Sequence, residues 1–147
     1  MMTDKKDWHI SVLYWMMMGA GALMIIGSSV ALWWPYKTLD VTSFQVIADK
    51  PRAAAVGQLI KIEIDCIKYT ELPCRYSFGL LDGYYQVVES GVSNIPLGHS
   101  KIKKNIKVSE EVPSGEYRVQ FTVAYDVNFL RTITKTFTTD NIFTVEP

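Results

Sequence analysis

Twenty-five consecutive residues, Ile10 to Trp34, carry no charge: "ISVLYWMMMGAGALMIIGSSVALWW". No other stretch limits the fold as tightly. A helix of that length spans ~37 Å at ~1.5 Å per residue, and the hydrocarbon core of a bilayer is ~30 Å thick. The run can cross a membrane with some tilt. Trp8, Tyr14 and Trp15 lie near one end, and Trp33, Trp34 and Tyr36 near the other. Amphipathic rings favour the headgroup zone, apolar body inward and polar edge toward water. Pro35 cannot donate an N–H and disfavours helical geometry at Trp34, so the helix stops there, with Lys37 in the aqueous boundary. The pattern predicts a short tail over 1–9, a transmembrane helix over 10–34 and a linker over 35–40. Trp8, Trp33, Trp34 and Tyr36 are the expected membrane-interface residues.

Rival readings of the run fit less well. A cleaved secretory signal has an apolar core of only about 7–15 residues, although "SVA" at 29–31 has the small residues of a cleavage site. A lipoprotein signal needs an early cysteine, and the two cysteines stand at 66 and 74. A buried core helix needs more chain to wrap it than follows here. Lys5 and Lys6 before the run are diluted by Asp4 and Asp7, and Lys37, Lys50 and Arg52 follow it, so basic residues do not set the orientation. An uncleaved signal-anchor with a short tail inserts with its N-terminus in the cytoplasm. The expected location is therefore a single-pass membrane protein, the bacterial inner membrane, with the C-terminal part outside. Within the span, Met16, Met17 and Met18 point in different directions on a helix and cannot converge on one soft metal ion. Gly27 and Ala31 form a small-xxx-small pair that can seat another helix.

From Tyr36 onward the apolar period changes to two, the signature of strands. In "YRVQFTVAYDV" the odd positions from Tyr117 to Val127 face one way and the even positions the other. "IKIEIDC" repeats the pattern, with Ile60, Ile62, Ile64 and Cys66 inward. "YSFGLL" sets Tyr76, Phe78 and Leu80 on one face, and Asp82-Gly83 supplies a tight turn into "YYQVVE". "DVTSFQVIA", a strand over 102–108, "RTITKTFTT" and "NIFTVEP" complete seven or eight short strands without a helical pattern. The expectation is an all-β, antiparallel sandwich of the immunoglobulin-like kind over 41–147.

One corner sharpens it. "VPSGEYRV" turns at Pro113-Ser114-Gly115 just before Tyr117 and the longest alternating strand. It resembles the tyrosine corner of immunoglobulin-like domains, in which such a tyrosine bonds back to nearby backbone. The match is architectural. Val119 stands where antibody-type domains carry the second cysteine, and no tryptophan follows Trp34, so a bacterial or phage Ig-like domain fits better than a vertebrate one. The whole layout of short anchor, "PYK" exit and "GEYRVQFTVAYDVNFLRTITKTF" ending resembles small single-pass membrane proteins of phages and bacteria with a β-rich ectodomain. That resemblance implies an architecture and no catalytic residues.

The side chains that could carry chemistry are few. Cys66 and Cys74 in "CIKYTELPC" are candidates for a disulfide, which would close a loop of about nine residues and contribute roughly 2.5 kcal/mol. His9 sits at the membrane edge. His99 lies in a turn-like "PLGHSK", and no nucleophile motif surrounds Ser93 or Ser100 beside it. Glu63 or Asp65 could meet Asp126 across strands, but all three face solvent in this pattern. No phosphate loop or metal-ligand motif is present, so no cofactor is expected. Lys101, Lys103, Lys104 and Lys107 concentrate charge in "HSKIKKNIK", the one candidate for contact with an anionic surface; the plainer reading is a solvated strand whose lysines discourage edge-to-edge pairing. With 15 basic and 15 acidic residues the chain carries no net charge, and nucleic acid is not an expected partner. The expectation is a non-enzymatic, membrane-anchored Ig-like module that binds another protein, with no small-molecule substrate. The alternatives are a spanin-like phage lysis or envelope-remodelling factor, and an accessory subunit packed through Gly27 and Ala31.

Overall fold

The computed structural model describes residues 5–47, 53–55, 59–82 and 84–146. One helix, α1 (Lys5–Trp33), precedes nine strands: β1 (Leu39–Ile47), β2 (Ala53–Ala55), β3 (Leu59–Lys68), β4 (Cys74–Asp82), β5 (Tyr84–Ser93), β6 (Gly98–Lys107), β7 (Gly115–Asn128), β8 (Arg131–Thr138) and β9 (Phe143–Glu146). The protein is an all-β sandwich with a leading helix. Contacts divide it into two compact units. The first holds residues up to Pro35 together with Asn128–Arg131, and the second holds 36–127 and 132–147.

In the first unit, α1 is apolar all round over Trp8–Trp33, a 26-residue stretch of which no residue is buried. The helix reaches back to Lys5, inside the segment expected to be a tail. The side chains of Lys5, Lys6 and Asp7, and residues Asp4, Lys50 and Arg52, lie outside what is described; of the charges weighed for orientation only Lys37 is described, paired with Asp40 at 3.1 Å. Ser29 Oγ donates to Ile25 O at 2.8 Å, which satisfies a hydroxyl that an apolar surround cannot. The helix closes with Trp34 N on Val30 O at 2.9 Å, one residue before Pro35. Helix C-termini leave carbonyls without partners, and α1 has no basic residue in its last turn. The β7–β8 connection supplies both functions: Asn128 Nδ2 donates to Ala31 O at 3.0 Å, and Arg131 Nη1 donates to Trp34 O at 2.6 Å. A guanidinium there also complements the negative end of the helix dipole.

In the second unit, β1-β3-β6 form one sheet. The other runs β2-β9-β7-β4-β5, with β8 also paired to β7. The expected alternation holds along β3, where Ile60, Ile62, Ile64 and Cys66 are buried, and along β7, where Tyr117, Val119, Phe121, Val123 and Tyr125 are buried. Burying these faces against each other removes apolar surface from water at about 25 cal/mol per Å². Phe121 is the hub. It stands opposite Phe78 across β4–β7 and stacks on it at 4.8 Å, meets Phe44 of the other sheet edge-on at 6.1 Å, and stacks on Phe137 at 6.3 Å. Asn141 stitches the sheets at one margin: its amide donates to Val46 O at 2.9 Å and its carbonyl accepts from Val46 N at 3.2 Å. Tyr117 is buried, and its hydroxyl donates to Pro113 O at 2.8 Å, the backward bond that a tyrosine corner makes.

Three details differ from the pattern read in the sequence. β1 begins at Leu39, which is fully buried, so the linker is shorter than 35–40. β2, "AAA", pairs with β9 in parallel, in an otherwise antiparallel arrangement; alanine carries no strand period to read. The Asp82-Gly83 turn falls on Gly83, which lies outside the described residues, although Asp82 and Tyr84 pair across it. Phe121→Ala should destabilise the domain by about 3–5 kcal/mol, because it empties the centre of the ring cluster. Chemical denaturation of the detergent-solubilised chain checks this; a loss below about 1 kcal/mol would mean the hub is misplaced.

Candidate functional site

The four lysines of "KIKKNIK" do not share a face. β6 alternates, so Lys101, Lys103 and Lys107 are exposed while Lys104 falls in with Ile102 and Ile106 on the inner side. Lys101, Lys103 and His99 meet acids of β3. Lys101 Nζ is 2.5 Å from Glu63 Oε1, Lys103 is 3.5 Å from Glu63 Oε2, and His99 Nε2 is 2.6 Å from Asp65 Oδ1. The hydrogen bond from Lys101 holds the Glu63 carboxyl below its ordinary range. The charge of a strand that looks strongly basic in sequence is therefore matched in part by its neighbour, and cross-strand pairing of opposite charge favours this register. Asp126 pairs with Arg75 at 2.8 Å instead of meeting Glu63 or Asp65, so the carboxylate pairing weighed above does not form.

Lys104 does something different. It is partly buried, sits over the Tyr76 ring at 4.3 Å, donates to Tyr76 Oη at 2.7 Å and forms an ion pair with Glu89. Tyr76 Oη in turn donates to Glu89 Oε1 at 3.0 Å. Tyr76 can lie this close to β5 because its cross-strand partner is Gly91; a Cβ there would stand 3.0 Å from the hydroxyl. Tyr76 and Lys104 also line a small, mostly apolar cleft of about 50 Å³, together with Ile64, Phe78, Ser93, Ile95, Ile102 and Phe121. Burial acts to lower the Lys104 pKa, but the hydrogen bonds to Glu89 and Tyr76 outweigh it and raise the ammonium above its usual value. Its stabilising contribution is thus complete at neutral pH and is lost only as pH rises through that raised value. Chemically, the arrangement is a cation held over an aromatic ring by a phenol and a carboxylate.

The expected disulfide is absent from the structure. Cys66 and Cys74 are free, buried thiols. They lie on β3 and β4, in opposite sheets, and each thiol faces a carbonyl of the strand beside it: Cys66 Sγ to Ser100 O at 3.6 Å, Cys74 Sγ to Ser93 O at 3.5 Å. Burial, with Asp65 and Cys74 nearby, pushes the Cys66 thiol up, which disfavours the reactive thiolate. Tyr125, buried next to Cys74, is likewise pushed well above the ordinary phenol range by burial first and by that thiol second.

Lys68 is the residue sequence reading missed. It continues the inward period of β3 and is 1% exposed, with Nζ donating to Ile95 O at 2.8 Å. That bond pins the β5–β6 connection from inside. A lysine that completes an Ile-Ile-Ile-Cys stripe is the only sign the sequence offered. Among the membrane-interface residues, Trp8, Trp33 and Trp34 are exposed, whereas the Tyr36 hydroxyl is engaged with Thr70 Oγ1 at 3.1 Å. Gly27 has open space where a Cβ would stand, but Ala31 is partly covered and its carbonyl is taken by Asn128. The pair expected to seat a second helix is thus occupied at one end by the chain itself. Among the described residues no group of three or more His, Cys, Asp or Glu is placed to hold a metal ion.

No protein-family model matches this chain, and no curated protein matches it. A thiol count separates the free cysteines from a disulfide. The folded protein should react with no thiol reagent, and denaturant without reductant should expose two thiols. A count of zero in denaturant would restore the disulfide.

Proposed function

We propose that this chain is a membrane-anchored, non-catalytic, Ig-like binding module, with its N-terminus in the cytoplasm and the sandwich on the outer side of a bacterial inner membrane. The observation that carries the reading is a 26-residue apolar helix with no buried residue, leading into a sandwich whose apolar strand faces cover one another. A bare apolar helix of this length matches a bilayer. The titratable groups near the cleft neutralise one another, which suits a scaffold better than a reaction centre. The partner is a protein, and β5 is the surface offered to it. β5 ends the larger sheet and leaves Val87 and Val92 exposed, so an added strand gains main-chain hydrogen bonds and two apolar contacts.

Buried thiols make native cysteine labelling useless for orientation, so an exposed position is needed. Glu110→Cys should label with a membrane-impermeant maleimide in intact cells, and the protein should stay in the membrane pellet through alkaline carbonate. Leu23→Lys with Ile26→Lys adds about 2.5–3.5 kcal/mol per lysine at the helix centre and should abolish that retention. Carbonate extraction of the unaltered chain would remove the membrane reading. Labelling of Glu110→Cys only after lysis would reverse the orientation.

A further inference from the structure

The connection between β7 and β8 has two residues, Phe129 and Leu130. Two-residue hairpin connections favour Asn-Gly, Asp-Gly or Gly-Gly, because such residues reach the required backbone angles without strain. Phe and Leu bring none of that, and the turn is held instead by Asn128, whose Oδ1 accepts from Leu130 N at 2.9 Å. Their side chains add nothing to the core: Phe129 is 93% exposed and Leu130 is 45% exposed. A soluble domain gains nothing from a phenyl ring held out in water at the tip of a hairpin, so the surroundings of this tip need another account.

Its position supplies one. The residues flanking the tip are the two that cap α1, Asn128 on Ala31 O and Arg131 on Trp34 O. Phe129 and Leu130 are therefore held level with the last turn of the helix, where Trp33 is 84% exposed and Trp34 is also bare. Phe129 and Leu130 thus add exposed apolar surface at the end of the chain segment that exposes Trp33 and Trp34, and Arg131 follows them directly. An apolar tip with an adjacent guanidinium matches the boundary between acyl chains and phosphate headgroups, where rings bury their bodies and arginine reaches outward.

We propose that the Phe129–Leu130 tip is a second membrane contact, inserted into the headgroup–acyl boundary beside the exit of α1. It rests on the reading of α1 as a membrane span. A single helix is free to swivel about its linker. A second point of insertion, joined to the helix end by two hydrogen bonds, gives the exit a defined orientation to the lipid. The occupant is phospholipid; a second copy of the chain or another protein on the same tip is the competing outcome.

The test replaces single residues of the full-length chain with the photoreactive phenylalanine analogue p-benzoylphenylalanine. The positions are Phe129 at the tip, Ile25 in the helix, and Glu110 on an exposed connection. The chain is reconstituted in vesicles of phosphatidylethanolamine and phosphatidylglycerol, irradiated, and read by the mass of the adducts. At Phe129 the substitution keeps an aromatic ring, so folding is not at stake. The expected result is lipid adduct at 25 and at 129, both several-fold above 110. Adduct at 25 with 129 no higher than 110 overturns the tip contact and leaves the span intact. A protein–protein adduct at 129 in place of lipid also overturns it. Absence of lipid adduct at 25 as well removes the span, and the tip contact with it.

Discussion

Between Trp8 and Trp33 the helix shows its whole circumference of apolar side chains, and only Ala31, near its end, is partly covered by the chain. In water such a surface costs about 25 cal/mol for every Å² left exposed, a sum far larger than the stability of any small domain. The cost disappears in hydrocarbon, where a helix is also the one simple way to satisfy each backbone group. The details at the helix end follow from the same constraint. Ser29 bonds back to its own helix, and two of the last carbonyls, Ala31 O and Trp34 O, are met by Asn128 and Arg131 from a hairpin 97 residues away in sequence.

The sandwich has a core of its own. Its two sheets meet over Phe44, Phe78 and Phe121, and Asn141 ties Val46 of one sheet to the loop leading into the other. Its exposed edges are handled unequally. β6 is guarded by outward lysines and by Lys104, an inward charge that blunts pairing at an edge. β5 carries Val87 and Val92 on its surface and is the more inviting edge. That asymmetry is why β5, rather than the lysine strand, is the face we propose for a partner.

Much of this architecture was legible beforehand. Alternation in "YRVQFTVAYDV" and "IKIEIDC" names the buried residues of β7 and β3, since one face of each strand must leave water. Pro35 marks the helix end, and "PSGEY" marks the corner where Tyr117 bonds to Pro113. The misses share one cause: they depend on which strand lies next to which. Lys101, Lys103 and Lys104 read as a basic cluster until β3 brings Glu63 and Asp65 alongside and the period of two turns Lys104 inward. Cys66 and Cys74 read as a disulfide because they are close in sequence, whereas each thiol is satisfied by a neighbouring carbonyl. Nothing local in "NFLR" tells that its ends cap a helix, and only the odd turn chemistry of Phe129-Leu130 hinted at an apolar setting.

The claim on which the account stands is that α1 crosses a bilayer. Depth can be read directly by placing nitroxide labels singly along residues 10–34 of the full chain in phospholipid vesicles. Each label's collisions with oxygen, which concentrates in hydrocarbon, are compared with its collisions with an aqueous nickel chelate. The account predicts one maximum in the oxygen-to-nickel ratio, near Ala22, falling toward both tryptophan-rich ends. A ratio that oscillates with the helical period and has no central maximum would place the helix along the membrane surface. A uniformly low ratio would place it in water. Either profile would contradict the account.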